Sequence, residues 1–305
     1  MNNAANTVFL ISPATFGFNP ETAESNIFQH DIPLEKKLIQ LTAQKEWEAV
    51  CAMLAKEKIN VIAIMDTLSP LKPDALFPNN WITTHADGRI ILYPMMAHNR
   101  RAEKRRDIVF ELTKKYTVTD IIDLSSYEEK DQFLEGTGSM VFDRGNKIIY
   151  ACISPRTHIE PLNKVASILG YQVIAFHAFD DKKPVYHTNV FMAVGEKWAT
   201  LCEEAIPDVQ EKEKLISSFK TTGKEIIHLT KKQIDSFAGN ILELQALDGV
   251  KKIIMSKTAF ESLSSAQIEA FSKQGDICYS DVTTIEIVGG GGIRCLLTEL
   301  FLQAL

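Results

Sequence analysis

Apolar residues along this chain gather in short runs broken by polar punctuation, and the runs alternate between two periods. VFLI (8–11) reads as a strand. KEWEAVCAMLAKEK (45–58) has helical spacing, and NVIAIM (60–65) is β-type again. The same order recurs downstream. RIILYPM (89–95) precedes a helical RRAEKRRDIVFELTKKY (100–116), with Ile108, Val109, Leu112 and Tyr116 on one side, and TDIIDLS (119–125) follows as a strand. MVFDRGNKIIYACIS (140–154) predicts a hairpin turning at Arg144, Gly145 and Asn146. PLNKVASILGY (161–171) places Pro161 near a helix start and Gly170 near its end, and QVIAFHAF (172–179) closes that stretch. VFMAVGEKWATLC, a helix over about 211–219 and EIIHLT form the next group. ILELQALDGVKKIIMS, a helix in SSAQIEAFSKQ and DICYS form the last.

A small or polar cluster introduces the units: FPNNWITT (77–84), LEGTGSMVF (134–142), VYHTNVFMAV (185–194), FAGNILEL (237–244) and VGGGGIRCLL (288–297). Aligning Asn80, Gly138, Asn189, Asn240 and Gly291 gives spacings of 58, 51, 51 and 51 residues. Regularity of this kind signals a repeat architecture, in which one unit cannot bury its own apolar faces and must pack on its neighbours. The unit is strand, strand, helix, strand, five times over. The fold class expected is α/β. Closed in a ring, five such units bring Asn80, Glu135, His187, Asn240 and Cys295 to one central mouth. The competing reading is a two-layer α/β domain with coincidental spacing. No low-complexity linker divides the sequence, so one domain over 1–305 is expected.

Composition narrows the function classes. With 45% hydrophobic and 24% charged residues, a sizeable core is available for burial. The net charge is −6, and no basic stripe with interleaved aromatics speaks for nucleic acid. The densest basic cluster, RRAEKRR (100–106), is interrupted by Glu103 and reads as a solvated helix start. No apolar run approaches the roughly 20 residues of a membrane span, and VFLI lacks the basic flank of a signal segment. Five cysteines, an odd number without CxxC spacing, point to free thiols and a reducing, cytoplasmic setting.

The candidate chemistry centres on Cys295. It follows Gly289–Gly292, where backbone can approach a ligand closely, and Arg294 beside it favours the thiolate. A plain loop with a small buried cysteine is the alternative. His187 in YHTNV is the candidate proton carrier, singled out from seven histidines because it falls in a repeated cluster. Glu135, opening EGTGS, can meet a flat cation or amide edge-on. No His or carboxylate spacing suggests a metal.

These residues resemble the guanidine-modifying, or pentein, superfamily: arginine and agmatine deiminases, dimethylarginine hydrolases and amidinotransferases. The closest resemblance is to its citrulline-utilisation hydrolases. GGGGIRC (289–295) is similar to the terminal glycine-rich cysteine motif of the deiminases, LEGTGS (134–139) to their EGGD segment, SPRT (154–157) to SERT, and YHTNV to their histidine segment. The resemblance implies a five-bladed β/α-propeller of ββαβ repeats. It implies Cys295 as nucleophile, His187 as general acid/base and Glu135 as a ligand of the substrate nitrogens. Arg156, with Arg100 or Arg101, would bind the α-carboxylate of a small amino-acid substrate, and no cofactor is needed. Asn80 and Asn189 stand where the deiminases have aspartates, and Ser139 where EGGD has its own. Fewer carboxylates suit a neutral ureido group better than a guanidinium, since an amide both donates and accepts; turn asparagines are the bland alternative. Citrulline hydrolysis to ornithine is the expectation. Deimination of arginine or methylarginine, amidino transfer, and a non-catalytic binding protein of the same fold remain open, as does the oligomeric state.

Overall fold

A computed structural model describes residues 4–181 and 183–305. Its strands form five small sheets of one design, plus a two-residue hairpin at Phe179–Asp180 and Lys183–Pro184. In each sheet the middle strand runs antiparallel to the first strand and parallel to the third, which returns through a helix. The second unit is Ile82–Thr84, Arg89–Leu92, helix Arg106–Lys115 and Asp120–Asp123. The third is Val141–Asp143, Ile148–Cys152, helix Ile159–Leu169 and Gln172–Phe176. The fourth keeps only a bridge between Val194 and Ala199 in place of its first strand, then Trp198–Leu201, helix Val209–Thr221 and Glu225–His228. The fifth is Leu242–Gln245, Lys251–Ser256, helices Lys257–Ser262 and Ser265–Ser272, and Asp276–Ser280.

The first unit joins both ends of the described polypeptide. Thr298–Glu299 pairs antiparallel with Thr7–Ile11, which runs parallel to Asn60–Ile64 after helix Lys36–Lys56. Burial follows position within a sheet. Middle strands such as Ile148–Cys152 are wholly buried, whereas third strands such as Asp120–Asp123 are largely exposed. One apolar core lies between the first and second units, where Phe9 and Ile11 meet Trp81 and Ile90. A second lies between the second and third, around Ile91, Tyr93 and Ile149. A third joins the third, fourth and fifth units, and the last is shared by the fifth and first, with Leu244 and Ile254 against Val8, Leu10 and Trp47. Every unit therefore buries its apolar faces on its neighbours.

The elements differ from the sequence reading in three instructive places. The first helix begins at Lys36, nine residues before the periodic stretch, because the half-exposed Leu38 and Leu41 blur its apolar stripe of Ile39, Ala43, Trp47, Val50 and Leu54. Residues 100–103 of RRAEKRR belong to a 3₁₀ turn (Asn99–Glu103), where Arg100 is buried rather than solvated, while Arg106 opens the helix and is exposed as expected. The polar clusters are not strand starts. Four are single helical turns, Pro78–Asn80, Gly136–Ser139, Thr188–Phe191 and Ile293–Leu296, so Val190 and Phe191 are helical where a strand was expected. A four-residue turn is too short to leave a period in the sequence.

Candidate active site

The five short turns all sit at the same end of the first strands. Asn80 closes one, and Glu135 and His187 immediately precede two others. Asn240 follows a non-helical turn at 236–239, its N–H donating to the Phe237 carbonyl at 2.8 Å, and Cys295 lies within the last. Adjacent turns touch. Asn240 Nδ2 donates to the Asn189 carbonyl at 2.8 Å, and its Oδ1 accepts the Arg294 N–H at 3.0 Å. Gly138 lets three turns converge: a Cβ there would lie 2.5 Å from Asn80 Nδ2 and 2.8 Å from the His187 ring. Helix Thr283–Gly289 ends at Gly290, whose φ of +65° turns the glycine run toward the same point.

The turns meet at a narrow pocket lined by Cys295, His187, Asn80, Arg100, Arg156, Asp74, Asn26, Phe77, Tyr186 and Gly289–Gly291. The stretch between Ile11 and Lys36 has no strand or helix and packs over this pocket. Asn26 Nδ2 donates to the Gly289 carbonyl at 3.1 Å, and Asn19 Nδ2 donates to Asp74 Oδ2 at 2.7 Å. Arg156 Nη2 donates to Ser25 Oγ at 2.6 Å and to the Thr22 carbonyl at 3.2 Å.

Cys295 Sγ receives two amide N–H groups, from Asn240 at 3.3 Å and Asn189 at 3.7 Å. Burial raises the thiol pKa, and the Asn240 hydrogen bond, Arg294 and Asn189 only partly offset it. The sequence expectation of an Arg294-activated thiolate therefore holds in sign but not in net effect. Arg294 itself turns away, donating to the Leu297 carbonyl at 2.9 Å and pairing with Glu299 at 3.1 Å.

His187 Nε2 lies 2.8 Å from Glu135 Oε2. Burial pushes the His187 pKa down to about 4 although Glu135 pulls it upward. Glu135 is fully buried; burial alone would raise its pKa, yet Arg156, His187 and Arg100 together hold it well below the usual carboxylate range. An ionised Glu135 fixes the proton on Nε2 and leaves the Nδ1 lone pair free. Glu135 stands behind His187 rather than on the pocket wall, with Arg156 Nη1 at 3.5 Å and Arg100 Nη1 at 3.6 Å. Its Oε2 faces the His187 ring.

The choice between the two arginines is resolved. Arg100 lines the pocket and is held in a fork by Glu103 at 2.9 and 3.0 Å. Arg101 points away to the Met95 carbonyl (3.2 Å) and Glu128 (3.5 Å), with its side chain 30% exposed, so it does not join the site. A 3₁₀ turn sends successive side chains about 120° apart, so only one of two neighbours can face inward. Asn189 sits beside the sulfur rather than on the pocket wall.

Sequence reasoning missed two residues and underused one. Asp74 lies on the pocket wall with its Oδ1 buried and without a hydrogen-bond partner; burial raises its pKa. Tyr186 donates to the Gly290 carbonyl at 2.6 Å and fixes the glycine run. Asn240, placed in the repeat without a role, makes the shortest contact to the sulfur. Asn80 Nδ2 is likewise buried without a partner. Among the described residues no group of three His, Cys, Asp or Glu side chains could hold a metal ion, and no helix is long and apolar enough to cross a membrane.

Three solved structures share this architecture. The N-terminal domain of ArgZ, an arginine dihydrolase from the ornithine–ammonia cycle in Cyanobacteria, matches with a TM-score of 0.73 at 18% identity, over 97% of this chain and 99% of its own. AgrE in complex with ornithine and NAD+ matches with a TM-score of 0.74 at 17% identity, over 96% of this chain but 39% of its own. A dimethylarginine dimethylaminohydrolase adduct with S-methyl-L-thiocitrulline matches with a TM-score of 0.65 at 12% identity, over 97% of this chain and 100% of its own. No curated protein matches the sequence significantly. The family model for eukaryotic N,N-dimethylarginine dimethylhydrolase matches residues 12–302. The chain thus belongs to the dimethylarginine dimethylhydrolase family, within the pentein superfamily of arginine-modifying hydrolases.

Proposed function

We propose that this protein hydrolyses C–N bonds at the end of the side chain of a free α-amino acid through Cys295, with citrulline as the preferred substrate. We read its five units as blades of one closed propeller, a single domain over 1–305, with the reactive turns at its mouth. The observation that carries the citrulline reading is Asn80 Nδ2, a buried donor without an acceptor beside His187. A ureido group brings a carbonyl acceptor to such a donor, and a guanidinium brings only donors. Arg156 and Arg100 suit the substrate carboxylate, and the unpartnered Asp74 Oδ1 suits its ammonium. Five free cysteines fit a reducing, cytoplasmic compartment.

In the resting site the thiol and imidazole are both neutral, consistent with their shifted pKa values. As sulfur adds to the ureido carbon, His187 Nδ1 takes the thiol proton, and the Glu135 carboxylate stabilises the imidazolium that forms. The terminal C–N bond then breaks. His187 gives its proton to the departing nitrogen, which leaves as ammonia. Water cleaves the thiocarbamate, its proton passing through His187 back to sulfur. The carbamate left on the substrate loses carbon dioxide and yields ornithine.

One observation favours a second reading. Asp74 is a carboxylate on the pocket wall, and a guanidinium would also satisfy it. ArgZ is itself named an arginine dihydrolase. A panel of citrulline, arginine, dimethylarginine and agmatine, scored by ammonia and amine release, decides between the two. Turnover of arginine without citrulline overturns the ureido preference. Release of the amine without ammonia, dependent on an added acceptor amine, indicates amidino transfer.

A further inference from the structure

A second pocket, of about 170 Å³, lies at the far end of the first strands, between the second and third units. Its floor is Arg144, the residue after strand Val141–Asp143, and its walls include His85, Tyr171 and Phe301. Arg144 is only 6% exposed. Its guanidinium carbon lies 4.0 Å from the Phe301 ring centre and 4.9 Å from that of Phe142, so the planar group is held between two aromatic faces.

A cation buried to this extent ordinarily has a carboxylate beside it. Among the described residues none lies within ion-pair distance of Arg144. The neighbouring acids are engaged elsewhere: Asp143 with Lys224 at 2.9 Å, Glu299 with Arg294 at 3.1 Å, and Asp87 with Arg89. The polar neighbours of Arg144 include Tyr171 and His85, whose Nδ1 lies 3.4 Å from Nη1. Neither supplies a countercharge. Burial raises the Tyr171 pKa and keeps the phenol neutral. His85 Nε2 is 2.8 Å from Thr83 Oγ1, which is 2.6 Å from the Tyr93 hydroxyl, and burial with Arg144 pushes the His85 pKa well down. Lys147, exposed at the rim, adds a second positive charge.

We propose that this pocket binds a compact oxyanion, a carboxylate or a phosphate group, on the guanidinium of Arg144 with Lys147 at the rim. An arginine plane fixed in advance matches two oxygens of either group, and little side-chain freedom is left to lose on binding. The site is independent of the chemistry at Cys295. It lies at the opposite end of the strands that carry the reactive turns.

The test is calorimetric titration of the full-length protein with inorganic phosphate and, separately, acetate, both at constant ionic strength against chloride. One-to-one saturable binding of at least one anion is expected, and which one binds identifies the head group. Arg144→Gln should abolish binding. Lys147→Glu, in an exposed turn where folding is not at risk, should weaken it at least tenfold and decides the matter if Arg144→Gln does not fold. Arg156→Gln at the reactive pocket should leave it intact. Absence of saturable binding by either anion overturns the proposal. So does binding unchanged in Lys147→Glu, or binding lost in Arg156→Gln but kept in Lys147→Glu.

Discussion

The two ends of the first strands are both rich in buried polar groups, but they are completed differently. At the far end, Arg144 apart, acids and donors close on each other across units: Lys224 with Asp143, and Trp198 Nε1 with Glu243 Oε2 at 2.7 Å. At the reactive end, Glu135 is shared by three cationic or protonatable neighbours, while Asp74 Oδ1, Asn79 Oδ1 and Asn80 Nδ2 keep no partner. A buried polar atom without a partner costs roughly 1–3 kcal/mol. Two of them, Asp74 Oδ1 and Asn80 Nδ2, belong to residues lining one pocket and are difficult to explain as packing, whereas the paired groups of the far end, Arg144 apart, read as structure. The difference separates residues that hold the fold from residues kept free for a ligand.

The largest expected effect tests the reactive end alone. Cys295→Ala should lower ornithine release by roughly four orders of magnitude or more. Its thermal midpoint should stay near that of the parent protein, since a small buried side chain is replaced by a smaller one. Residual turnover within tenfold of the parent would remove the covalent mechanism. Next comes Glu135→Gln, expected to slow turnover by roughly two to four orders. It should also destabilise, because Arg100 and Arg156 would remain buried with one anion fewer.

The converse case sits at the far end. Lys224→Met leaves Asp143 buried and unpaired, and the structure gives both side chains no exposure. A loss of roughly 3–5 kcal/mol in unfolding free energy is expected, read by urea denaturation. At a temperature where the variant is folded, kcat for citrulline should change less than twofold. If turnover collapsed while stability held, the division between the two ends would be wrong.

How far the sequence revealed this division depended on the range of each signal. The 51-residue spacing was legible because every unit must present the same face to its neighbours. Cys295, His187 and the Asn80 position were legible because each falls within one of the repeated clusters. Asp74 was not, since it lies on a connecting segment with no repeat partner, and only the fold brings it beside Arg100. The choice of Arg100 over Arg101 depended on the pitch of a five-residue 3₁₀ turn inside a charge-rich stretch. The sequence reading set Glu135 against substrate nitrogens, and the structure sets its Oε2 2.8 Å from His187: sequence places a residue at a mouth, whereas packing decides which neighbour its side chain meets.

A smaller effect sharpens the reactive end. Asn240 is the first of the influences that lower the Cys295 thiol pKa against burial. Asn240→Ala should therefore shift the pH midpoint of Cys295 alkylation by iodoacetamide upward, by roughly one unit. Asn189, whose amide is farther from the sulfur, should shift it less when replaced by alanine. Equal midpoints in all three proteins would mean the amides pack the turn without tuning the thiol.

The smallest effect concerns His187, and its sign follows from the buried ring. A histidine whose folded pKa is depressed to about 4 from its ordinary 6.5 favours folding in its neutral form. That contribution is fully present above pH 6.5 and is lost as pH falls through about 4. Glu135 stays ionised across this window, because its own pKa is held lower still. It is also the partner that raises the His187 value against burial. Removing its charge in Glu135→Gln should accordingly drive the His187 midpoint below that of the parent protein, followed by NMR of the imidazole as pH is lowered. An upward movement would mean that Glu135 does not act on the ring as an anion, and the reactive end would lose the charge that orients its base.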